Sequence, residues 1–273
     1  MTSSPSPDIS PDFTERQSMD FGPQRLAYRA QAGNANQTMP GVIFCGGFRS
    51  DMGGTKALAL AAWATARQQS FVRFDYFGHG CSTGAFTDGT ISHWRGDIPH
   101  IFDTLTQGPQ ILVGSSFGGW LSTLAALDRP DRIAGLVLIA PAIDMTERLM
   151  WDRFSDRARA KLESEGLIYD TSEYDPEGYP ITHNLILDGR NHLLLGDTID
   201  ISVPVRIIHG QQDTAVPWQL SLELAENLKT DDVEVYLLKG GDHRLSEPHQ
   251  IDALLRLIEE LLEKTLNAKT HRF

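Results

Sequence analysis

Near the middle of the chain an apolar run, Ile111-Leu112-Val113, meets Gly114-Ser115-Ser116-Phe117-Gly118, and then Trp120, Leu121, Leu124 and Leu127 recur at helical spacing. A short apolar run of this kind reads as a buried strand, and the spacing after it as a helix. Gly-x-Ser-x-Gly between the two predicts a sharp elbow with Ser116 at its apex. Gly114 and Gly118 are expected to let strand and returning helix approach closely enough for Ser116 to occupy a strained turn. The start of the helix would then direct free N–H groups at whatever binds beside Ser116.

The flanking sequence repeats this alternation. Strands are expected at Arg16–Phe21 and Arg25–Ala30, paired as an antiparallel edge hairpin across Gly22-Pro23, then at Gly41–Phe44, Ser70–Tyr76, the elbow strand and Ile133–Ala140. Val203–His209 and Val233–Leu238 complete the set. Helices are expected over Thr55–Gln69, with Leu58, Ala62 and Ala66 on one stripe and Thr55 as N-cap. Others are expected over Ile91–Leu105, Pro217–Leu228 and Pro248–Leu266. Buried strands alternating with helices imply a mostly parallel sheet covered on both faces, here of eight strands. Residues 142–200 break the pattern: they are richer in charge and aromatics and carry no clear buried strand. Helical spacing is visible through Leu149, Phe154, Ala158 and Leu162, and again through Ile181, Leu185 and Ile186. The expected organisation is a tail over residues 1–12, a core over 13–141 and 201–273, and a helical cap over 142–200.

Functional loops of such sheets lie at the carboxyl ends of the strands. A serine hydroxyl needs a base to take its proton, and the base needs a group that fixes its tautomer. Past the Val203–His209 strand stands Asp213, in Gly210-Gln211-Gln212-Asp213; past Val233–Leu238 stands His243, in Gly240-Gly241-Asp242-His243. Ser116, Asp213 and His243 therefore form the candidate catalytic set. Asp144, also just past a strand, is the rival acid. Asp75 reads as a loop-bonding carboxylate, His209 as packing at a strand end, His79 as a loop residue and His249 as an exposed helix start. Attack on a carbonyl also needs donors for the developing oxyanion. The Phe117 N–H is one, and the loop Gly46-Gly47-Phe48 offers the Phe48 N–H as the second. Trp94, Trp120 and Trp218 are expected mainly in the core, while Leu149, Met150, Trp151 and Phe154 could offer one face to an acyl chain.

Composition narrows the classes. A formal charge of −12 leaves no basic stripe to displace counterions from nucleic acid. Two cysteines, Cys45 and Cys81, cannot build a disulfide framework and point to a reducing compartment. No apolar run approaches the roughly 20 residues of a membrane span. Neither metal-ligand spacing nor a phosphate-binding Gly-Lys-Ser/Thr is present, so no metal and no cofactor is expected. Residues 1–12 are rich in Ser and Pro and contain no Lys or Arg. They read as a disordered tail, unlike a secretory or mitochondrial leader, and a cytoplasmic location is expected.

The order Ser116, Asp213, His243 around a Gly-x-Ser-x-Gly elbow resembles that of the α/β-hydrolase superfamily. More narrowly, the chain resembles the animal mitochondrial palmitoyl-protein thioesterases that also cleave the acyl glucuronide of mycophenolic acid. The residues that carry the likeness are Thr55-Lys56-Ala57-Leu58-Ala59, Arg73-Phe74-Asp75-Tyr76 with Gly78, Gly80, Ser82 and Gly84, and Trp94-Arg95 with Asp97. They continue through Gly108–Ser116, Gly118–Leu121, His209-Gly210, Asp213, Val216-Pro217-Trp218 and Asp242-His243-Arg244. The resemblance covers about residues 38–262 and is weaker in the cap. It implies the α/β-hydrolase fold, and a serine hydrolase of carboxylic esters or thioesters acting through an acyl-enzyme. The substrate would be a small ester or thioester, or an acylated protein. A peptidase or amidase on the same residues, and a silent ligand-binding scaffold, are the alternatives. Dehalogenases and epoxide hydrolases would place Asp at the elbow.

Overall fold

A computed structural model describes residues 10–18, 22–34, 39–172 and 175–270; of the expected tail over residues 1–12, the first nine residues lie outside that range. Eight strands form one sheet: β1 (Asp12–Ser18), β2 (Gly22–Gln31), β3 (Gly41–Cys45), β4 (Phe71–Phe74), β5 (Gln110–Ser115), β6 (Ile133–Ile139), β9 (Val205–Gly210) and β10 (Val233–Leu238). β7 (Leu167–Ser172) and β8 (Asp175–Thr182) pair separately. The order in the large sheet is β1-β2-β4-β3-β5-β6-β9-β10. β2 runs antiparallel to both its neighbours, and the other pairs are parallel.

Strand alternation divides the core into two layers. Val42, Phe44, Ile111, Val113, Val137, Ile139 and Ile208 face α1 (Thr55–Arg67) and α7 (Pro248–Thr270). Ile43, Cys45, Leu112, Leu136, Leu138, Val205 and Ile207 face the layer of α2 (Ile91–Leu105), α3 (Phe117–Asp128) and α6 (Gln219–Asn227). The mostly parallel eight-stranded sheet covered on both faces is thus as the sequence predicts. The stripe expected on α1 is not the buried one. Ala57, Leu60, Trp63 and Ala64 are buried, whereas Leu58, Ala62 and Ala66 are exposed. An alanine-rich helix shows weak hydrophobic contrast, so its face is fixed by the large ring of Trp63. Its N-cap is Gly54, and Thr55 is the first helical residue.

Residues 142–200 form the excursion from the sheet, and it is not purely helical. Met145–Met150 is a single π turn, Trp151–Arg153 a 3-10 turn, and α4 (Asp156–Glu165) and α5 (His183–Gly189) flank the β7–β8 hairpin. Ile181, expected on a helix, lies in β8. Among the described residues no helix is long and apolar enough to cross a membrane.

β4 lies on one side of β3 and β5 on the other, so the loops leaving β3 and β5 diverge from a common crevice. Crevices of this type collect ligands in open α/β sheets.

Candidate active site

Ser116 joins β5 to α3 with φ 53° and ψ −117°, a positive-φ backbone conformation rarely held by a residue with a side chain. Three backbone bonds hold it: Ser116 N–H donates to Ile139 O (2.8 Å), and Ser116 O accepts from Gly119 N–H (2.8 Å) and Ala142 N–H (3.1 Å). Close approach explains the glycines, though not both in the expected way. A Cβ at Gly114 would come within 2.8 Å of the Gly119 Cα on the returning helix. A Cβ at Gly118 would instead strike the carbonyl oxygens of Cys45, which ends β3, and of Gly46, which opens the loop after it. That second glycine therefore seats the donor loop against the elbow.

The three loops expected to meet do so. His243 Nε2 lies 3.0 Å from Ser116 Oγ, and His243 Nδ1 lies 2.6 Å from Asp213 Oδ2. The other carboxylate oxygen, Oδ1, accepts from Ala215 N–H (2.9 Å) and Val216 N–H (2.8 Å). Burial disfavours charge on Asp213, but hydrogen bonds from His209 and His243, the charge of His243 and the Val216 N–H outweigh it. They hold the carboxyl well below the usual carboxylate range. An ionised Asp213 can only accept, which puts the His243 proton on Nδ1 and leaves the Nε2 lone pair facing Ser116. The Asp213 side chain is 0% exposed and that of His243 16%, so the carboxylate is sealed while the imidazole reaches the cavity. Backbone bonds tie the two loops: Gln211 N–H donates to Leu238 O (2.9 Å) and Gln212 N–H to Gly241 O (2.8 Å). From α1, Lys56 Nζ donates to Arg244 O next to His243. Such a chain can carry a proton from Ser116 Oγ to His243 Nε2 and stabilise the imidazolium formed.

Asp144, the rival acid, is engaged elsewhere. Its carboxylate accepts from Leu194 N–H (2.8 Å) and Leu195 N–H (3.0 Å), clasping the far end of the excursion to its near end. Asp75 accepts from Met52 N–H (2.7 Å) and Cys81 N–H (2.9 Å), as a loop-bonding carboxylate should. Trp94 and Trp120 are fully buried and Trp218 is half-buried.

Of the two expected donors, the Phe117 N–H is the first amide of α3 and has no intrahelical acceptor. Phe48 sits in the loop after β3. A Cβ at the adjacent Gly47 would stand 3.6 Å from Ser115 O and 3.8 Å from Ser116 Cβ, so this loop passes directly over the Ser116 side of the elbow. The Phe48 ring anchors the loop among Phe86 (4.9 Å between centroids), Phe117 (5.6 Å), Trp94 (5.9 Å) and Tyr179 (5.9 Å).

Two histidines matter more than the sequence suggests. His79 is 3% exposed; its Nδ1–H donates to Phe77 O (3.0 Å), and its Nε2 accepts from Arg49 N–H (3.1 Å), immediately after Phe48. Burial lowers it to about 4, against the hydrogen bond to Phe77, so it stays neutral and keeps the lone pair that Arg49 requires. His209 is fully buried and contacts Asp213 itself. The one signal for His79 is neighbourhood: β4, whose following loop carries it, lies beside β3, whose loop carries Phe48.

A cavity of about 830 Å³ opens over Ser116 and His243. Phe48, Met145, Leu149, Met150, Phe154 and Tyr179 supply its apolar wall, mostly from the excursion. Trp151, grouped with these from the sequence, is instead covered by the guanidinium groups of Arg159 (5.3 Å) and Arg190 (4.9 Å). Charged residues at the cavity are Arg49, Lys56, Arg153 and Arg244, against Asp51 and Asp170.

Known proteins resemble the chain in both sequence and shape. The family model for serine aminopeptidase, S33, matches residues 37–171, and that of the prolyl oligopeptidase family matches residues 106–269. Palmitoyl-protein thioesterase ABHD10, mitochondrial, of Bos taurus is 38% identical over 242 residues, spanning 88% of this chain and 77% of that protein. The Homo sapiens protein of the same name is 38% identical over 240 residues, with the same coverage. Among solved structures, an Agrobacterium vitis S4 protein described as a hydrolase superposes with a TM-score of 0.87 at 38% identity, covering 93% of this chain and 100% of that one. The mouse α/β hydrolase domain-containing protein 10 gives 0.83 at 36% identity, covering 93% and 99%.

Proposed function

The chain belongs to the α/β-hydrolase family, among the relatives of palmitoyl-protein thioesterase ABHD10, and from that premise we propose that it is a serine hydrolase of thioesters and carboxylic esters. Ser116, His243 and Asp213 are its catalytic residues. The observation that carries this reading is the continuous chain from Ser116 Oγ through His243 to the buried Asp213, with links of 3.0 and 2.6 Å.

In the first half-reaction His243 Nε2 takes the Ser116 proton as Oγ attacks the acyl carbon. The tetrahedral oxyanion is held by the N–H groups of Phe117 and Phe48. Its collapse expels the thiol or alcohol, which leaves with the proton from His243 Nε2, and an acyl-Ser116 ester remains. Water then gives a proton to Nε2 and attacks the same carbon. The second tetrahedral intermediate releases the carboxylic acid and returns the proton to Ser116. Asp213 holds the Nδ1–H tautomer throughout and stabilises the transient imidazolium.

The apolar wall from Met145 to Phe154 faces the cavity beside Ser116 and suits an acyl chain. The surplus of cations over carboxylates at its charged rim favours a leaving group that carries negative charge, as an acyl glucuronide does. It offers a substrate ammonium no net attraction. The peptidase names of the two matching family models favour a second reading, an amidase on the same residues. That rim ranks it below the ester reading. The relatives from Bos taurus and Homo sapiens are mitochondrial by name, whereas the expectation for this chain is cytoplasmic; subcellular fractionation separates the two.

Ser116→Ala should keep its melting temperature while losing about 10⁴-fold or more in kcat on a p-nitrophenyl ester; undiminished turnover would sink the assignment. A series of acyl thioesters and matched oxygen esters of increasing length then assigns the substrate. Each methylene buried against the wall should raise kcat/KM about fourfold, for about 0.8 kcal/mol. An anilide turned over as fast as its ester would favour the amidase.

A further inference from the structure

The Asp213 carboxylate is contacted by two imidazoles. Its Oδ2 faces His243 Nδ1 at 2.6 Å and, on the other side, His209 Nε2 at 3.0 Å. His209 lies near the end of β9, on the face shared with Val205 and Ile207, so its ring enters the layer closed by α6. There its Nδ1 meets Ser221 Oγ at 2.7 Å, while Nε2 also lies 3.0 Å from Val216 O. Both partners of Nε2 can only accept, and Ser221 can donate. Nε2 therefore carries a proton, and the Ser221 hydroxyl is placed to hydrogen-bond Nδ1. His209, Ser221 and the Asp213 side chain are all 0% exposed, so no water replaces any of these bonds. Among the described residues, Asp213 is the one charged group bonded to His209.

A packing role alone would not require this arrangement. An apolar side chain would fill the space at the end of β9 without burying two ring nitrogens that must be satisfied. We infer that His209 is a positioning residue of the same site. Braced by Ser221, it fixes the Asp213 carboxylate so that Oδ2 presents its remaining lone pair to His243 Nδ1. Asp213 is then held at every acceptor position in use: Oδ1 by the two backbone N–H groups, Oδ2 by one fixed and one reacting imidazole. The inference rests on the reading of Ser116, His243 and Asp213 as the catalytic residues. By sharing Oδ2, His209 also draws charge from the oxygen that stabilises the His243 imidazolium. Its removal should both loosen the carboxylate and return charge to that oxygen.

The test compares wild type with His209→Phe, His209→Gln, Ser221→Ala and Ser116→Ala, using kcat and KM on a p-nitrophenyl ester across pH 5 to 9, with melting temperatures. His209→Phe should lose about 10- to 100-fold in kcat, the size of a hydrogen bond to a charged group, with KM little changed. The acid limb of its kcat/KM profile should move to higher pH. Gln can place an amide N–H where Nε2–H stands, so His209→Gln should recover most of the rate and the wild-type limb. Ser221→Ala, which removes the brace on Nδ1 but keeps the ring, should show a smaller loss and a limb displaced in the same direction. A folded His209→Phe with the wild-type limb overturns the inference. If His209→Phe does not fold, an unmoved limb in Ser221→Ala overturns it. A dead Ser116→Ala beside unmoved limbs refutes the positioning role alone, whereas an active Ser116→Ala refutes the catalytic reading beneath it.

Discussion

Replacing His79 by glutamine tests how the loop that carries Phe48 is held. His79 is 3% exposed, and burial brings it from 6.5 to about 4, so the folded protein binds its proton less readily than the unfolded chain. A base whose folded value is depressed contributes stability that is fully present above about 6.5 and lost as pH falls towards 4. By pH 4.5 the loss amounts to roughly 2.5 kcal/mol. Glutamine can still accept from Arg49 N–H through Oε1, gives up the donation to Phe77 O, and does not titrate. At pH 7.5 the variant should therefore be about 1 kcal/mol less stable than wild type. On acidification the gap should close and then reverse, to roughly 1.5 kcal/mol in favour of the variant at pH 4.5. Urea melts at four pH values between 7.5 and 4.5, at fixed ionic strength, measure this directly, because the carboxylates common to both proteins cancel in the difference. A gap that stays constant over the range would refute the assignment of a neutral, loop-bonding His79.

Gly114→Ala should cost about 1–3 kcal/mol, because its Cβ would meet the Gly119 Cα at 2.8 Å and neither backbone can yield without moving the elbow. Fluorophosphonate labelling of Ser116 should slow with it, and unchanged melting and labelling would show that the close approach is not needed. Arg16→Met removes the cation paired with Asp97, a carboxyl 0% exposed that burial pushes up to about 7 even with Arg16 and the Phe77 N–H beside it. The raised value means that stability falls as pH rises towards 7, and the variant should exaggerate this. A loss of about 3 kcal/mol is expected at pH 8 and a smaller one at pH 5.5; equal losses at both would count against an ionised Asp97–Arg16 pair. Met150→Trp narrows the apolar wall and should move the acyl-length optimum to shorter chains. Each excluded methylene should cost about fourfold in kcat/KM. An unaltered optimum would place the acyl chain elsewhere in the cavity.

The large sheet was legible because parallel strands buried on both faces are nearly continuous apolar runs. Ile111–Val113, Ile133–Ile139 and Val205–Ile208 are unmistakable against the polar loops that follow them. Ser116, Asp213 and His243 were legible for a related reason: the carboxyl end of each strand is marked by glycine, and one residue of the needed chemistry stands just beyond it. What remained hidden is what depends on distance across the fold. Leu58, Ala62 and Ala66 recur at helical spacing as well as the buried set does, and the placement of Trp63 against α7 decides between the two faces, with Trp63 Nε1–H donating to Glu259 at 2.9 Å. Leu167–Ser172 and Asp175–Thr182 bury Ile168 and Ile181 in the core, but the charged residues Asp170, Asp175 and Glu177 interrupt their apolar alternation, so no buried strand stands out there. His79 and His209 are plain histidines in the sequence. Their roles follow from β3 lying beside β4 and from β9 facing α6, which no spacing along the chain reveals.

On the function proposed, the same geometry separates proton transfer from the choice of acyl group. The proton chain hangs on loops after β5, β9 and β10; Ser116 N–H to Ile139 O fastens the first of these to β6, and Gln212 N–H to Gly241 O ties the other two together. The apolar wall hangs on the excursion after β6, whose departure and return are both fastened by Asp144 through the N–H groups of Leu194 and Leu195. A carboxylate that burial pushes up in pKa, against those two N–H bonds, is held there by its position in the fold. The excursion meets the site through Ala142 N–H to Ser116 O and Arg153 to Ala215 O; Leu149, Met150 and Phe154 make neither bond and can change while both are kept. Substrate range can therefore shift along the wall from Met145 to Phe154, while the arrangement that moves the proton stays fixed by the sheet.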